Sequence, residues 1–174
     1  MMNIPYITLL NLSERPGLVE LSQLVAQDGE MPVDANLLEV IINGGDVSSW
    51  LPDDVINANR AISRINESIA DTEAEINGFL RQRGHKLPLT VVPRLLTDWA
   101  RIIVRYKLHR NRVSDEKNDP IVRDYKQVLG FLKMVAEGKY SLGIDDALPV
   151  AGGVPKQTGP VRVFDMNTLR DFGR

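Results

Sequence analysis

Residues 52–84 read PDDVINANRAISRINESIADTEAEINGFLRQRG, and this stretch decides the fold. Its apolar side chains recur at Val55, Ala58, Ile62, Ile65, Ile69, Ile76 and Phe79, with Thr72 filling the one gap in an alternation of three and four. That spacing places them on one face of a single α-helix of about 30 residues, roughly 45 Å long. Pro52 suits the first turn, and Asp53 and Asp54 set negative charge against the positive end of the helix dipole. Arg81 and Arg83 in the last turn, with Gly84 behind them, mark the stop. A helix over about 53–83 cannot cover its own apolar stripe. The sequence therefore predicts an all-α protein, a small helical bundle built around one long helix. The stripe is either the centre of the core or in part a seam between subunits.

Shorter helices flank the rod. Leu18, Leu21, Leu24 and Val25 predict one after the Pro16-Gly17 turn. Asp34 is the expected N-cap of another, which carries Leu37, Leu38, Ile41 and Ile42 and stops at Gly44-Gly45. Neither is long enough to stand alone. After the rod, HKLPLTVVP at 85–93 reads as an extended connector because its two prolines disfavour helix. A third helix is expected from about Pro93 to Arg112. Leu95, Trp99, Ile102 and Tyr106 form its apolar stripe, widened by Leu96 and Ile103. Its other face carries Arg94, Arg101, Arg105, Lys107, Arg110 and Arg112. Asp119-Pro120 opens a fourth helix that buries Val122, Tyr125, Leu129, Leu132 and Ala136 and ends at Gly138. Beyond Leu142 the chain turns rich in glycine and proline, so 1–143 is the predicted helical domain and 144–174 a flexible arm. The arm carries the alternating run Val161–Phe164, with Val161, Val163 and Phe164 as its candidate contacts.

Charge is distributed unevenly along the 174 residues. The net value is −2, yet residues 1–80 hold 3 basic and 13 acidic side chains, whereas 81–112 hold 9 basic against Asp98 alone. Seven of those nine are arginines: Arg81, Arg83, Arg94, Arg101, Arg105, Arg110 and Arg112. Arginine suits bidentate pairing with carboxylate or phosphate. The block is thus a solvated face, a contact for the acidic part of a neighbouring copy, or a surface for another anion such as nucleic acid. Trp99 and Tyr106 belong to the apolar stripe rather than to a base-stacking platform, which leaves nonspecific phosphate contact as the nucleic-acid reading.

Chemistry-bearing constellations do not emerge. The absence of cysteine excludes disulfides and thiolate chemistry and favours assembly in a cytoplasm. His85 and His109 fall in different elements and are expected to be exposed or partly packed. Asp145-Asp146 sits on the arm, where adjacent carboxylates rarely hold catalytic geometry. Phosphate-loop and GxSxG patterns are missing. No enzyme, metal or cofactor is expected. No run nears the roughly 18 apolar residues of a membrane span, and no signal-peptide order opens the chain, so no membrane is expected either.

AISRINESIADTEAEINGFLRQRG (61–84), LPL–VP–LL at Leu87–Leu96, ARIIVRYKL (100–108) and DYKQVLGFLKMVAEGKYSLG (124–143) come in an order that resembles the Mu-like bacteriophage and prophage family of head-completion, or head–tail connector, proteins. A shorter echo lies around Tyr6–Leu24, and RVFDMNTLRDF (162–172) resembles the family's C-terminal end. Leu87, Pro88, Leu89 and Pro93, directly after a long helix, are the most specific piece. The stretch Gln27–Leu51 is longer than the resemblance leads one to expect, and Arg83-Gly84-His85 stands where an Arg-Tyr pair is expected. The resemblance implies a helical adaptor in the virion neck, assembled in the host cytoplasm. Copies would form a homo-oligomeric ring under the portal protein, complete the DNA-filled head and present a face to a downstream neck or tail protein. Nonspecific contact with packaged DNA is implied by position, and the arm would order on assembly by adding Val161–Phe164 to a neighbour as an edge strand. The alternative from the residues alone is a nucleic-acid-binding helical module using the basic 81–112 segment.

Overall fold

A computed structural model describes residues 4–26, 31–109 and 118–144. The protein is all-α, with no strand among the described residues. Its helices are α1 (Leu9–Leu12), α2 (Leu18–Val25), α3 (Ala35–Ile42), α4 (Pro52–Arg83), α5 (Arg94–His109) and α6 (Pro120–Ala136). Of the arm expected over 144–174, all but Ile144 lies outside the described residues, including Val161, Val163 and Phe164, as do Arg110 and Arg112.

The expected rod is one uninterrupted helix of 32 residues. Pro52 occupies its first turn and Asp53 and Asp54 follow, as the dipole favours. At the far end Gly84 adopts φ 93°, a left-handed conformation that costs glycine little, and the amide of His85 donates to the carbonyl of Leu80 over 3.0 Å. α5 and α6 pack on α4 and on each other, and α2 and α3 pack against the rod as a further layer. A single apolar cluster runs through all of them, from Tyr6 and Ile7 to Leu142. Ile144 still packs against that cluster, so the chain stays docked to the end of the described residues.

The buried face of α4 is rotated from the simple stripe. Ala58, Ala61, Ile65, Thr72, Ile76 and Leu80 are buried, while Val55, Ile62, Ile69 and Phe79 are only partly covered. Neighbours on more than one side widen the covered arc toward Ala61 and Leu80, which a two-sided stripe would leave at its edge. Thr72 fits inside because its hydroxyl donates to the Ser68 carbonyl at 2.7 Å, satisfying the polar atom within the helix. The other long helices show the same rotation. Ala100 and Val104 join Leu96, Trp99 and Ile103 inside α5, and Leu95, Ile102 and Tyr106 are only partly covered. In α6 the buried set is Ile121, Val122, Val128, Leu132 and Val135, so Tyr125, Leu129 and Ala136 move to the margin.

Caps follow the sequence closely. Asp34 accepts from the Asn36 amide at 2.7 Å and Asp119 from the Ile121 amide at 2.8 Å. α1 was not expected; Thr8 and Asn11 form a reciprocal capping box that stabilises its single turn.

Polar side chains of α4 fasten the neighbours on either side. Arg64 Nη1 donates to the Val25 carbonyl at 2.7 Å, closing the end of α2. Glu73 accepts from the Tyr6 amide at 3.1 Å and Asn77 accepts from the Tyr6 hydroxyl. On the other flank Glu75 accepts from the Tyr125 hydroxyl at 3.0 Å and pairs with Lys107 Nζ at 2.9 Å. Tyr125 stacks on Tyr106 with ring centroids 3.9 Å apart.

Ile65→Ala is expected to cost about 2–5 kcal/mol in urea unfolding, whereas the half-buried Ile69→Ala should cost distinctly less. Equal losses would contradict the rotated face. Burial, then the Glu73 charge, pushes the Tyr6 phenol up to about 12, and burial, then the hydrogen bond and charge of Glu75, does the same at Tyr125. Both phenols hold their protons more tightly folded than unfolded. Their contribution is therefore complete below pH 10 and is lost as pH rises from there through about 12. The Tyr6→Phe, Tyr125→Phe double variant should flatten the fall in unfolding free energy across that window; an unchanged slope would contradict the assignment.

Candidate interaction surface

The basic segment follows the rod, turns through the proline connector and returns along α5. Folding treats its members differently. Arg105 pairs through Nε with Glu20 of α2, and Lys107 pairs with Glu75 of α4. Arg101 pairs with Asp98 on its own helix at 2.6 Å. All three cations are partly covered, so this face of α5 is not the solvated one that the sequence suggests. Acidic residues 85 and 32 positions away in sequence neutralise it from within the chain.

Arg81 and Arg94 remain exposed. Arg83 lies along the end of α6: a Cβ added at Gly138, where φ is +74°, would meet its guanidinium at 2.9 Å. Arg94 and Arg101 come together on a groove of about 480 Å³ between the first turns of α5 and the turn after α1. Arg15, from that turn, joins them there. Sequence reading missed Arg15 because a lone arginine before a proline carries no local signal. It missed the counter-ions Glu20 and Glu75 because only the tertiary fold brings them to α5.

The connector residues do different work. Leu89 is buried, Leu87 and Pro93 are partly covered and Pro88 is exposed. His85 is buried at 7% exposure, more deeply than expected, with its amide held by the Leu80 carbonyl at the end of the rod. His85, Lys86, Pro88, Leu89 and Val91 line a second groove, of about 630 Å³, which Gly143 and Ile144 close from the other side. The connector thus forms one wall of the surface at which the described chain ends. Among the described residues no group of three or more His, Asp or Glu has the geometry to hold a metal ion, and no helix is long and apolar enough to cross a membrane.

A long helix packed on by shorter ones, with open grooves beside it, defines an all-α bundle. Residues 6–157 match the family described as Bacteriophage Mu, Gp36, and the chain belongs to that family. It is also similar to the Mu-like prophage FluMu protein gp36 of Haemophilus influenzae, at 33% identity over 98 residues. That region is 56% of this chain and 64% of the relative, so the chain spans under two thirds of the relative's length. The comparison establishes a Mu-like phage protein.

The Glu20–Arg105 pair retains 31% and 37% side-chain exposure, so a double-mutant cycle should yield a coupling of about 0.2–1 kcal/mol that shrinks with added salt. A coupling several-fold larger, insensitive to salt, would contradict that setting.

Proposed function

We propose that this chain is a structural, non-enzymatic protein of the phage neck, a head–tail adaptor that forms a ring beneath the portal and completes the DNA-filled head. Membership of the Mu Gp36 family over residues 6–157 carries the reading. The physical form agrees with it. A rod of 32 residues gives a stiff element that spans the molecule. Acidic and basic surfaces on different parts of one chain are what a heterologous, ring-closing contact needs. Its partners in this reading are further copies of itself, the portal protein and a downstream neck or tail protein, in a virion assembled in the host cytoplasm. Packaged DNA would touch it only nonspecifically.

A nucleic-acid-binding module built on the basic segment has less behind it. Arg101, Arg105 and Lys107 already hold carboxylates of this chain, and affinity for duplex at physiological salt rests on several free phosphate contacts. In this reading the arm orders on assembly by adding Val161–Phe164 to a neighbouring copy.

Mixed with the portal protein of its own phage, the full chain should add a ring visible by negative-stain microscopy. Removal of residues 145–174 should leave the thermal transition of the helical domain in place and weaken that assembly. A full chain that fails to bind the portal overturns the adaptor reading; unchanged assembly of the truncated chain overturns the role of the arm.

A further inference from the structure

Two charged features of the described surface keep groups that enter no ion pair among the described residues. The first is the groove between the turn after α1 and the start of α5. Three guanidiniums line it, those of Arg15, Arg94 and Arg101, against the carboxylates of Glu14 and Asp98. Asp98 is occupied by Arg101, whereas Arg15 and Arg94 are exposed and enter no ion pair among the described residues. Arg101 holds Asp98 through Nη1 only; its Nε is buried with no acceptor among the described residues. The groove thus presents donors arranged for carboxylates, with Val92 as an apolar wall.

The second is the outer face of α4. Glu67 and Asp71 stand four residues apart, so they are neighbours on one exposed face of the helix. Like charges in that register repel and disfavour the helix. Their neighbours Ala70 and Ala74 are exposed and short, so a partner can approach the carboxylates closely. Of the other acids of the rod, Glu73 holds Tyr6 and Glu75 holds Lys107 and Tyr125, while Asp53 and Asp54 sit in the first turn, against the positive end of the helix dipole. Glu67 and Asp71 enter no ion pair or hydrogen bond among the described residues.

We infer that the groove framed by Arg15, Arg94 and Arg101 receives the Glu67–Asp71 face of α4 from a second copy of this chain. Two carboxylates one helical turn apart offer one acceptor to each of the two free guanidiniums. With Arg15, Arg94 and Arg101 set against Glu14 and Asp98, the groove carries a net excess of one positive charge, which releases too few counterions for firm duplex binding. A patch that binds a different patch on the next copy propagates head to tail and closes into a ring where the rotation allows. The inference deepens the adaptor reading by naming the surfaces on which its ring would close.

The test uses two charge-reversed full chains, Arg15→Glu with Arg94→Glu, and Glu67→Lys with Asp71→Lys. All four positions are exposed, so both chains should keep the wild-type thermal transition, which is checked first. Sedimentation velocity at low and high salt, alone and with the portal protein, then reads self-association. Wild type should associate in a salt-sensitive manner. Each variant alone should lose at least about tenfold in association constant, and an equimolar mixture should recover it, because reversed charges meet reversed charges. Variants that associate like wild type, or a mixture without recovery, overturn the inference. So does a groove variant that loses retention of duplex DNA in a filter assay while self-association stays intact. If wild type and variants form rings on the portal equally well, the adaptor reading survives and this interface fails. If the charge swap controls association but no chain binds the portal, the interface survives and the adaptor reading fails.

Discussion

Everything in this bundle depends on keeping the buried face of α4 away from water. A helix of 32 residues forms cooperatively, but within the protein most of its stability comes from packing of its apolar face. The covered arc runs from Ala58 and Ala61 through Ile65 and Thr72 to Ile76 and Leu80, and different neighbours serve different parts of it. Near its N-terminal half the α2–α3 segment lies alongside, held where Arg64 closes the last turn of α2. Toward the other end Tyr6 is clamped by Glu73 and Asn77, while Glu75 gathers Lys107 of α5 and Tyr125 of α6. Hydrophobic burial supplies the non-directional attraction, and these polar contacts fix which helix lies on which side.

The uneven charge of the linear chain is therefore partly an artefact of linearity. Glu20 and Glu75 come from the acidic half and Arg105 and Lys107 from the basic block, and the fold brings them together. Each such pair is partly solvated and contributes little to stability by itself. Their larger effect is on what remains. Once they are paired, the charges left without an ion pair among the described residues include Arg15 and Arg94 at the α5 groove, the exposed Arg81 at the end of the rod, and the outer carboxylates of α4. A charge count along the sequence overstates the basic surface of α5 and misses Arg15, which the fold adds to it.

What could be read beforehand was whatever short-range physics dictates. The length of α4, the stop at Gly84, the caps at Asp34 and Asp119 and the stop at Gly138 each follow from residues a few positions apart. The orientation of each helix within the bundle could not, because it depends on how many neighbours press on it. Val104 and Val128 look peripheral by spacing alone and are buried once a third helix covers their side. α1 escaped notice because four residues show no period, and only the reciprocal Thr8–Asn11 bonds explain it. His85 is polar and follows a helix stop, yet it is buried, with its amide held by the Leu80 carbonyl at the end of α4. The groove on α5 was half legible: Arg94 and Arg101 lie seven apart on one helix face, but Arg15 arrives from about 80 positions upstream.

This division of labour bears on how an adaptor of this kind would time its assembly. The fold rests on apolar burial, which physiological salt leaves almost untouched, whereas the unpaired charges sit at the surface, where ions screen them strongly beyond about 8–10 Å. A contact made mainly of exposed carboxylates and guanidiniums is weak between two free copies and need not drive polymerisation in the cytoplasm. Held side by side on a common platform, the same copies meet at a high effective concentration, and each contact made raises the local concentration for the next. In the proposed reading, separating the forces in this way would let one chain be a stable monomer in solution and a closed ring on its docking partner. No refolding of α4 is required between the two, because the face it would offer to a neighbour is the one its own core leaves exposed.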